Sequence, residues 1–475
     1  MTDIKNLTLT GAAEMLSRRE ISAVELTQAF LSRIDATDTE TGAFITVDRE
    51  GALCSARESD KRRAAGESLG IFDGIPYSLK DNISTKGIET TCATRILRGY
   101  NPPLDATVAA KLKNSGAVLL GKNNLDEFGM GSETVNGAYM LCRNPHDRSR
   151  IAGGSSGGSA ASVADGTSVF SLGSDTGGSV RLPASHCGVV GLKPTYSAVS
   201  RYGLVSYASS LDVVGMLCKN VADTRAVFDL IRGRDIYDQT TRDFSRSCGD
   251  ISLKGLHIAL PKELLGADLS DEVSTALDFG IKMLEAEGAI IEEVSLPSIK
   301  QSAAAYLVLS MAEASSNLGR YDGIRYGHRS TVAADSVGEH ISRTRGEGFG
   351  DEVKRRILAG TYFLSENGRE KYYKNALSAI NLIRAEHTAL FERFDAMISP
   401  VATRSAKRIG EKSTKAQGYR EDEFTVCANL TGIPAISVPC PCVSGMPVGI
   451  QLSASHGRED VLFSLSDAIE RGTGK

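Results

Sequence analysis

Two glycine-serine runs lie close together in the chain: Gly153-Gly-Ser-Ser-Gly-Gly-Ser-Ala160, and Gly173-Ser-Asp-Thr-Gly-Gly-Ser179-Val-Arg-Leu-Pro183-Ala184. Between them, Gly157–Ala164 is built of small residues, as a helix packed tightly on its neighbours would be. Val169–Leu172 reads as a buried strand. Either run alone would pass for a flexible loop. Two of them bracketing a small-residue helix and a strand demand a closely packed core at this point. Glycine lets successive backbone N–H groups turn towards one spot, and a serine closing each run brings hydroxyls to the same place. Oxyanion stabilisation beside a nucleophile needs that arrangement.

The remainder of the chain is patterned as one large α/β core. Helical spacing predicts helices over Ser22–Ala36, Thr107–Asn114, Asp271–Glu287, Ser302–Leu318, Lys371–Phe394 and Asp460–Arg471. Short apolar runs predict strands over Ile75–Leu79, Ala117–Leu120 (ending at Gly121), Ile258–Leu260, Ala289–Val294, Ala396–Ser399, Ala435–Val438 and Val448–Leu452. Gly323–Glu352, rich in Gly, Arg and His, reads as a loop. Helices and strands alternate irregularly across all 475 residues. That pattern outweighs the length prior of roughly 150 residues per domain, which would suggest about three.

Composition narrows the function classes. The net charge of −4 is small, and no lysine/arginine block or basic stripe marks the chain as a nucleic-acid binder. Residues 1–10 carry no targeting pattern, and no apolar run approaches the ~20 residues that span a bilayer, so a cytoplasmic protein is expected. The nine cysteines, an odd number, form no C-x-x-C pair; Cys440-Pro-Cys442 is the nearest approach. Reduced thiols and no metal site are expected.

Two familiar motifs nearly match and fail on context. Gly116-Ala-Val-Leu-Leu-Gly121-Lys122-Asn123 has the G-x-x-x-x-G-K spacing. It ends in Asn instead of the Ser/Thr that holds magnesium, and its middle is a hydrophobic strand rather than a polar phosphate cradle. Gly153–Gly157 satisfies G-x-S-x-G, but a nucleophile elbow follows a strand directly. The preceding Arg143–Arg150 is polar, charged and broken by Pro145.

On the two glycine-serine runs, with Ile75-Pro-Tyr-Ser-Leu-Lys80-Asp81-Asn82 upstream, the chain resembles the amidase signature family over essentially its whole length. The resemblance implies a mixed central β-sheet covered by helices on both faces. It implies one amidase domain over residues 1–475, with a signature core at about 70–220 and a region for the substrate pocket and partner contact at about 300–440. It also implies a catalytic triad: Ser179 as nucleophile, Ser155 as a relay joined through a cis peptide bond, and Lys80 as base. The backbone N–H groups of Thr176, Gly177 and Gly178, with Ser179 itself, would form the oxyanion hole. A lysine acts as a base only when neutral. Bringing its pKa from about 10.4 to near 7 takes roughly 3 units, or about 4 kcal/mol, from burial without a counter-ion. Asp81 would oppose this if it faced the ammonium; in an extended segment it can point away.

Three further segments resemble the A subunits of tRNA-dependent amidotransferases within that family. They are Glu313–Arg329, Gly348-Phe-Gly-Asp-Glu-Val-Lys-Arg-Arg356, and Ala428–Pro439. That likeness implies glutamine as substrate and ammonia passed to a partner, with amidotransferase subunits B and C, the second of them small, completing a heterotrimer. The complex would amidate misacylated Glu-tRNA(Gln), and the choice of Asp-tRNA(Asn) is left open. ATP and magnesium would serve the partner, with no cofactor in this chain. Glutamine's α-carboxylate and α-ammonium call for a cation and a carboxylate in the pocket. By motif position these are Arg355, with Arg356 one residue out of register as the alternative, and Asp422; Tyr306 would line the pocket. A stand-alone amidase acting on small or aryl amides would share the triad without needing Arg355 and Asp422. The chain departs from the usual pattern of these A subunits at Glu133, at Ser197-Ala198 and at Gly215-Met-Leu-Cys218.

Overall fold

In the computed structural model, which describes residues 4–474 other than 245–248, 250, 267, 413 and 442–444, eleven strands form one mixed sheet. They are β1 (Phe44–Val47), β2 (Pro76–Lys80), β3 (Val118–Asn123), β4 (Phe170–Asp175), β5 (Val190–Lys193), β6 (Val213–Cys218), β7 (His257–Pro261), β8 (Ile290–Val294), β9 (Ala396–Pro400), β10 (Ala435–Pro439) and β11 (Gly449–Ala454). The sheet order is β1-β3-β2-β4-β6-β5-β10-β11-β9-β7-β8. Every residue of β2, β4, β5, β6, β9 and β11 is buried, including both faces of each pleat. Helices therefore cover the centre of the sheet on both sides, as the sequence predicts.

At the heart of the sheet β2 runs parallel to β4, with Leu79 opposite Leu172. Their carboxyl ends, Lys80 and Asp175, emerge at the same edge. Active sites of open α/β sheets form at such edges. The helix Gly157–Ala164 returns the chain from one glycine-serine run to β4, and it is nearly all buried. Its glycines allow the close approach: a Cβ on Gly158 would sit 2.5 Å from the Asn124 carbonyl oxygen. Over the same edge, helices Ile299–Asn317, Asp351–Leu364, Lys374–Leu390 and Lys415–Thr431 form a second apolar cluster that includes Phe128, Tyr306, Phe349 and Phe424.

Two of the differences between sequence and structure have clear local causes. The segment 323–352 is not all loop, because Val337–Gly348 is a helix. The Ser336 side chain accepts the Glu339 N–H at its start, and Arg345 donates to the carbonyls of Leu318 and Tyr321. The glycines that hide it serve packing: a Cβ on Gly348 would meet Ile96 at 2.9 Å. Secondly, β3 does not stop at Gly121 but runs on to Asn123, with the missing side chain at Gly121 making room for the Thr46 carbonyl of β1. The seven described cysteines are unpaired thiols, with only Cys54 exposed; Cys248 and Cys442 lie outside the described residues. No described helix is long and apolar enough to cross a membrane.

Candidate active site

Lys80 closes β2 with its side chain wholly buried. Its Nζ lies 2.8 Å from Ser155 Oγ, 2.9 Å from Ser156 Oγ and 2.9 Å from Ser174 Oγ. All three serines belong to the two glycine-serine runs. Burial drives the Lys80 pKa down to about 7, against weaker opposing pulls from Asp126, Asp175 and Asp212. Asp81 does point away: it pairs with Lys122 at 3.2 Å and accepts from the Thr91 N–H and hydroxyl.

The serine contacts sort themselves by where their protons go. Ser156 donates to the Ser174 carbonyl at 3.1 Å, so its oxygen receives a Lys80 N–H. Ser174 Oγ accepts from Asn82 as well as from Lys80. That leaves Ser155 as the hydroxyl placed to donate to the lone pair of a neutral amine. The Gly154–Ser155 peptide bond is cis. Buried Asp126 holds the loop over it, accepting the N–H groups of Glu133, Thr134 and Val135, while Thr134 Oγ1 donates to the Gly153 carbonyl.

Ser179 ends the second run and is buried at the floor of a cavity of about 420 Å³. Its carbonyl accepts the Ser156 N–H at 3.0 Å, which ties the two runs together. The turn before it is held by Asp175, whose carboxylate accepts the N–H groups of Gly178 (2.8 Å) and Val180 (3.1 Å). This corrects one expectation. The Gly178 amide is turned to Asp175, which takes it out of the expected oxyanion set and leaves the amides of Thr176, Gly177 and Ser179 as the remaining candidates.

Asp175 in turn forms a wholly buried pair with Arg181 at 2.9 Å, and the guanidinium holds the carboxyl well below the usual range. Arg181 also donates to the Thr425 carbonyl, Gln451 Oε1 and Asn429 Oδ1. Sequence reasoning gives neither Asp175 nor Arg181 a role, although both are letters of the motif that carries the resemblance. An arginine set inside a run of small and apolar residues, two positions after Ser179, is the signal that could have found them.

The cavity is walled by Tyr306, Arg355, Arg356, Asp422 and Thr425, so the structure brings all the expected pocket residues to Ser179. Tyr306 lies against the nucleophile turn: a Cβ on Gly177 would sit 2.5 Å from its Cζ, which only glycine avoids. Thr425 Oγ1 donates to the Gly177 carbonyl at 2.6 Å. Burial raises the Asp422 carboxyl to about 7, with Arg356 pulling the other way. The two arginines differ. Arg356 is committed, donating to Glu352 Oε1 and the Tyr207 hydroxyl, both at 2.6 Å, with its guanidinium over the Tyr207 ring. Arg355 is more than half exposed and makes only a surface-type pair with Glu352.

Both near-miss motifs have structural explanations. Lys122 is a wholly buried core lysine, donating to the Ile83 carbonyl and Thr90 Oγ1 besides pairing with Asp81. The Ser155 hydroxyl is held by Lys80, while His186, beside Gly153, is kept neutral by burial with its pKa near 4. Of the departures from the usual pattern of the A subunits, Glu133 has a partner in Lys407 at 2.5 Å, whereas Ser197 adopts a φ of 80°, a conformation that glycine takes more easily, and the structure gives no reason for a serine there. Among the described residues no group of three or more His, Cys, Asp or Glu is arranged to hold a metal ion.

Known proteins share the sequence and the fold of this chain. The amidase family model matches residues 25–463. The chain is 48% identical over 465 residues to the A subunit of glutamyl-tRNA(Gln) amidotransferase from Carboxydothermus hydrogenoformans, covering 97% of this chain and 96% of that one. To its Clostridium kluyveri counterpart it is 46% identical over 466 residues, covering 97% and 94%. Among solved structures, the Thermotoga maritima counterpart superposes with a TM-score of 0.81 at 40% identity, covering 99% and 96%. A peptide amidase of Stenotrophomonas maltophilia superposes at 0.82 with 28% identity, covering 98% and 97%. The chain therefore belongs to the amidase family, within its group of glutamyl-tRNA(Gln) amidotransferase A subunits.

Proposed function

We propose that this chain hydrolyses glutamine as the ammonia-supplying member of a cytoplasmic heterotrimeric amidotransferase. The observation that carries the reading is a buried Lys80, with its pKa near 7, bonded to Ser155 directly beside Gly154, which lines the same cavity as Ser179, Arg355 and Asp422. Ser179 Oγ attacks the side-chain amide of glutamine. Its proton passes to Ser155, whose own proton moves to Lys80 Nζ. The amides of Thr176, Gly177 and Ser179 take the developing oxyanion. The proton then returns along the same path to the departing ammonia, and water releases glutamate from the Ser179 ester.

Arg355 supplies the cation for the α-carboxylate, because it is more than half exposed and pairs with the surface carboxylate Glu352, whereas Arg356 is buried against Tyr207. Asp422 supplies the charge for the α-ammonium. Ammonia goes to the B subunit, which amidates misacylated Glu-tRNA(Gln) using ATP and magnesium, and the small C subunit completes the assembly. The likeness to glutamyl-tRNA(Gln) amidotransferase A subunits supports the tRNA-linked reading over a stand-alone amidase.

The test is ammonia release from glutamine by the purified chain, alone and with both partner subunits, ATP and charged tRNA. Partner-dependent stimulation is the expected result. Rapid hydrolysis of simple amides with none of glutamine would overturn it, and full activity in Ser179→Ala would overturn the mechanism.

A further inference from the structure

We propose that Asp212 is a positioning residue that couples the nucleophile turn to the arginine side of the substrate cavity. It rests on the glutaminase reading for its substrate, but its first half concerns Ser179 alone. Asp212 is buried, and among the described residues the hydrogen bonds to its carboxylate come from uncharged donors. Oδ1 accepts the Thr176 hydroxyl at 2.7 Å. Oδ2 accepts the Ser206 hydroxyl at 3.0 Å and the backbone N–H groups of Tyr207 and Ala208 at 3.0 and 3.1 Å.

One oxygen therefore holds the residue that opens the oxyanion turn, and the other holds the backbone of Tyr207. The Tyr207 ring and hydroxyl hold Arg356, and Arg356 shares Glu352 with Arg355. A continuous path of contacts, buried or part-buried as far as Arg356, thus runs from Thr176 to the exposed Arg355. A carboxylate suits the junction because it accepts on both oxygens at once, whereas an amide side chain offers one acceptor. Glutamine's carboxylate end and its reacting amide are a fixed distance apart, so the two ends of the site must be held in register.

The test uses the full-length chain, with its partner subunits for turnover. Ser179 is labelled with a fluorophosphonate: the Ser179 oxygen bonds to phosphorus, fluoride leaves, and the hydroxyl proton passes to Lys80. This readout needs no glutamine. Thr176→Val removes the hydroxyl that Asp212 accepts and nearly preserves shape. It is expected to slow labelling about tenfold or more, and Thr176→Ser, which restores the hydroxyl, is expected to recover most of the rate. Labelling by Thr176→Val at the wild-type rate, or no recovery in Thr176→Ser, would overturn the role in the turn.

Tyr207→Phe then cuts the link to Arg356. Combined with Thr176→Val, it is expected to change labelling and glutamine kcat/KM by a factor that departs about threefold or more from the product of the single effects. Simple multiplication would overturn the coupling. If the wild-type chain labels normally yet never turns over glutamine, the proposed function fails while the labelling series still decides the role of Asp212.

Discussion

Lys122 Nζ stands 3.2 Å from Asp81 Oδ1, with both side chains wholly buried and Asp81 next in sequence to the proposed base. The pair matters to Lys80 because it gives Asp81 a cation of its own. A carboxylate turned to the Lys80 amine would favour its protonated form. Lys122→Met should cost about 3–5 kcal/mol of stability, since it strands a buried carboxylate. Adding Asp81→Asn should restore part of that loss. Urea unfolding of the two single variants and the double variant checks this; additive losses would show that the two groups do not act as a pair.

The depressed Lys80 pKa has a kinetic consequence with a definite sign. In the proposed mechanism the working form is the neutral amine, which predominates above about pH 7. The kcat for glutamine should therefore rise with pH through about 7 and level off above it, falling about tenfold per unit well below. Lys80→Arg, which stays charged at all accessible pH values, should lose roughly 10³-fold or more of kcat. Stopped assays of ammonia release across about pH 5.5–9 measure both.

Asp422 titrates in the same range for the opposite role, since it must be ionised to hold an ammonium. Its carboxyl is raised to about 7 by burial, so acid should remove the charge and raise KM for glutamine as pH falls below 7. A simple amide without an α-ammonium should show only the Lys80 limb. Asp422→Asn should then remove the pH dependence of KM while leaving that of kcat. Equal KM profiles for glutamine and the simple amide would remove Asp422 from substrate binding.

How much of this was legible in the sequence follows from what each feature depends on. The helix Thr107–Asn114 and the strand at Ala396 are local: spacing and apolar runs mark them, and the structure has them within a residue or so. Arg49–Ala65 is also a helix, but it buries only Ala52, Ala56 and Ser59, so no apolar stripe announces it. The contact between Lys80 and Ser155 was readable because the motif packs its serines into a few dozen positions and β2 ends where β4 does. The oxyanion turn was only partly readable, since whether Gly178 points its N–H at the cavity or at Asp175 depends on the Arg181 pair behind it. The second ion pair, Asp81–Lys122, joins residues far apart in the chain and has no local signature.

The register between Arg355 and Arg356 was open in the sequence for the same reason, and the structure separates the two by burial. Hydrogen bonds to a charged group contribute about 1.5–3 kcal/mol, so loss of the arginine that meets the glutamine carboxylate should raise KM by about 10–100-fold. Arg355→Ala should do this with little change in melting temperature, because Arg355 is exposed and bonds only Glu352. Arg356→Ala should instead destabilise the fold, since it leaves a cavity over Tyr207 and removes one of two partners from Glu352. Steady-state kinetics and thermal unfolding of the two variants side by side distinguish the cases. A large KM effect in Arg356→Ala with unchanged stability, and none in Arg355→Ala, would move the carboxylate to Arg356.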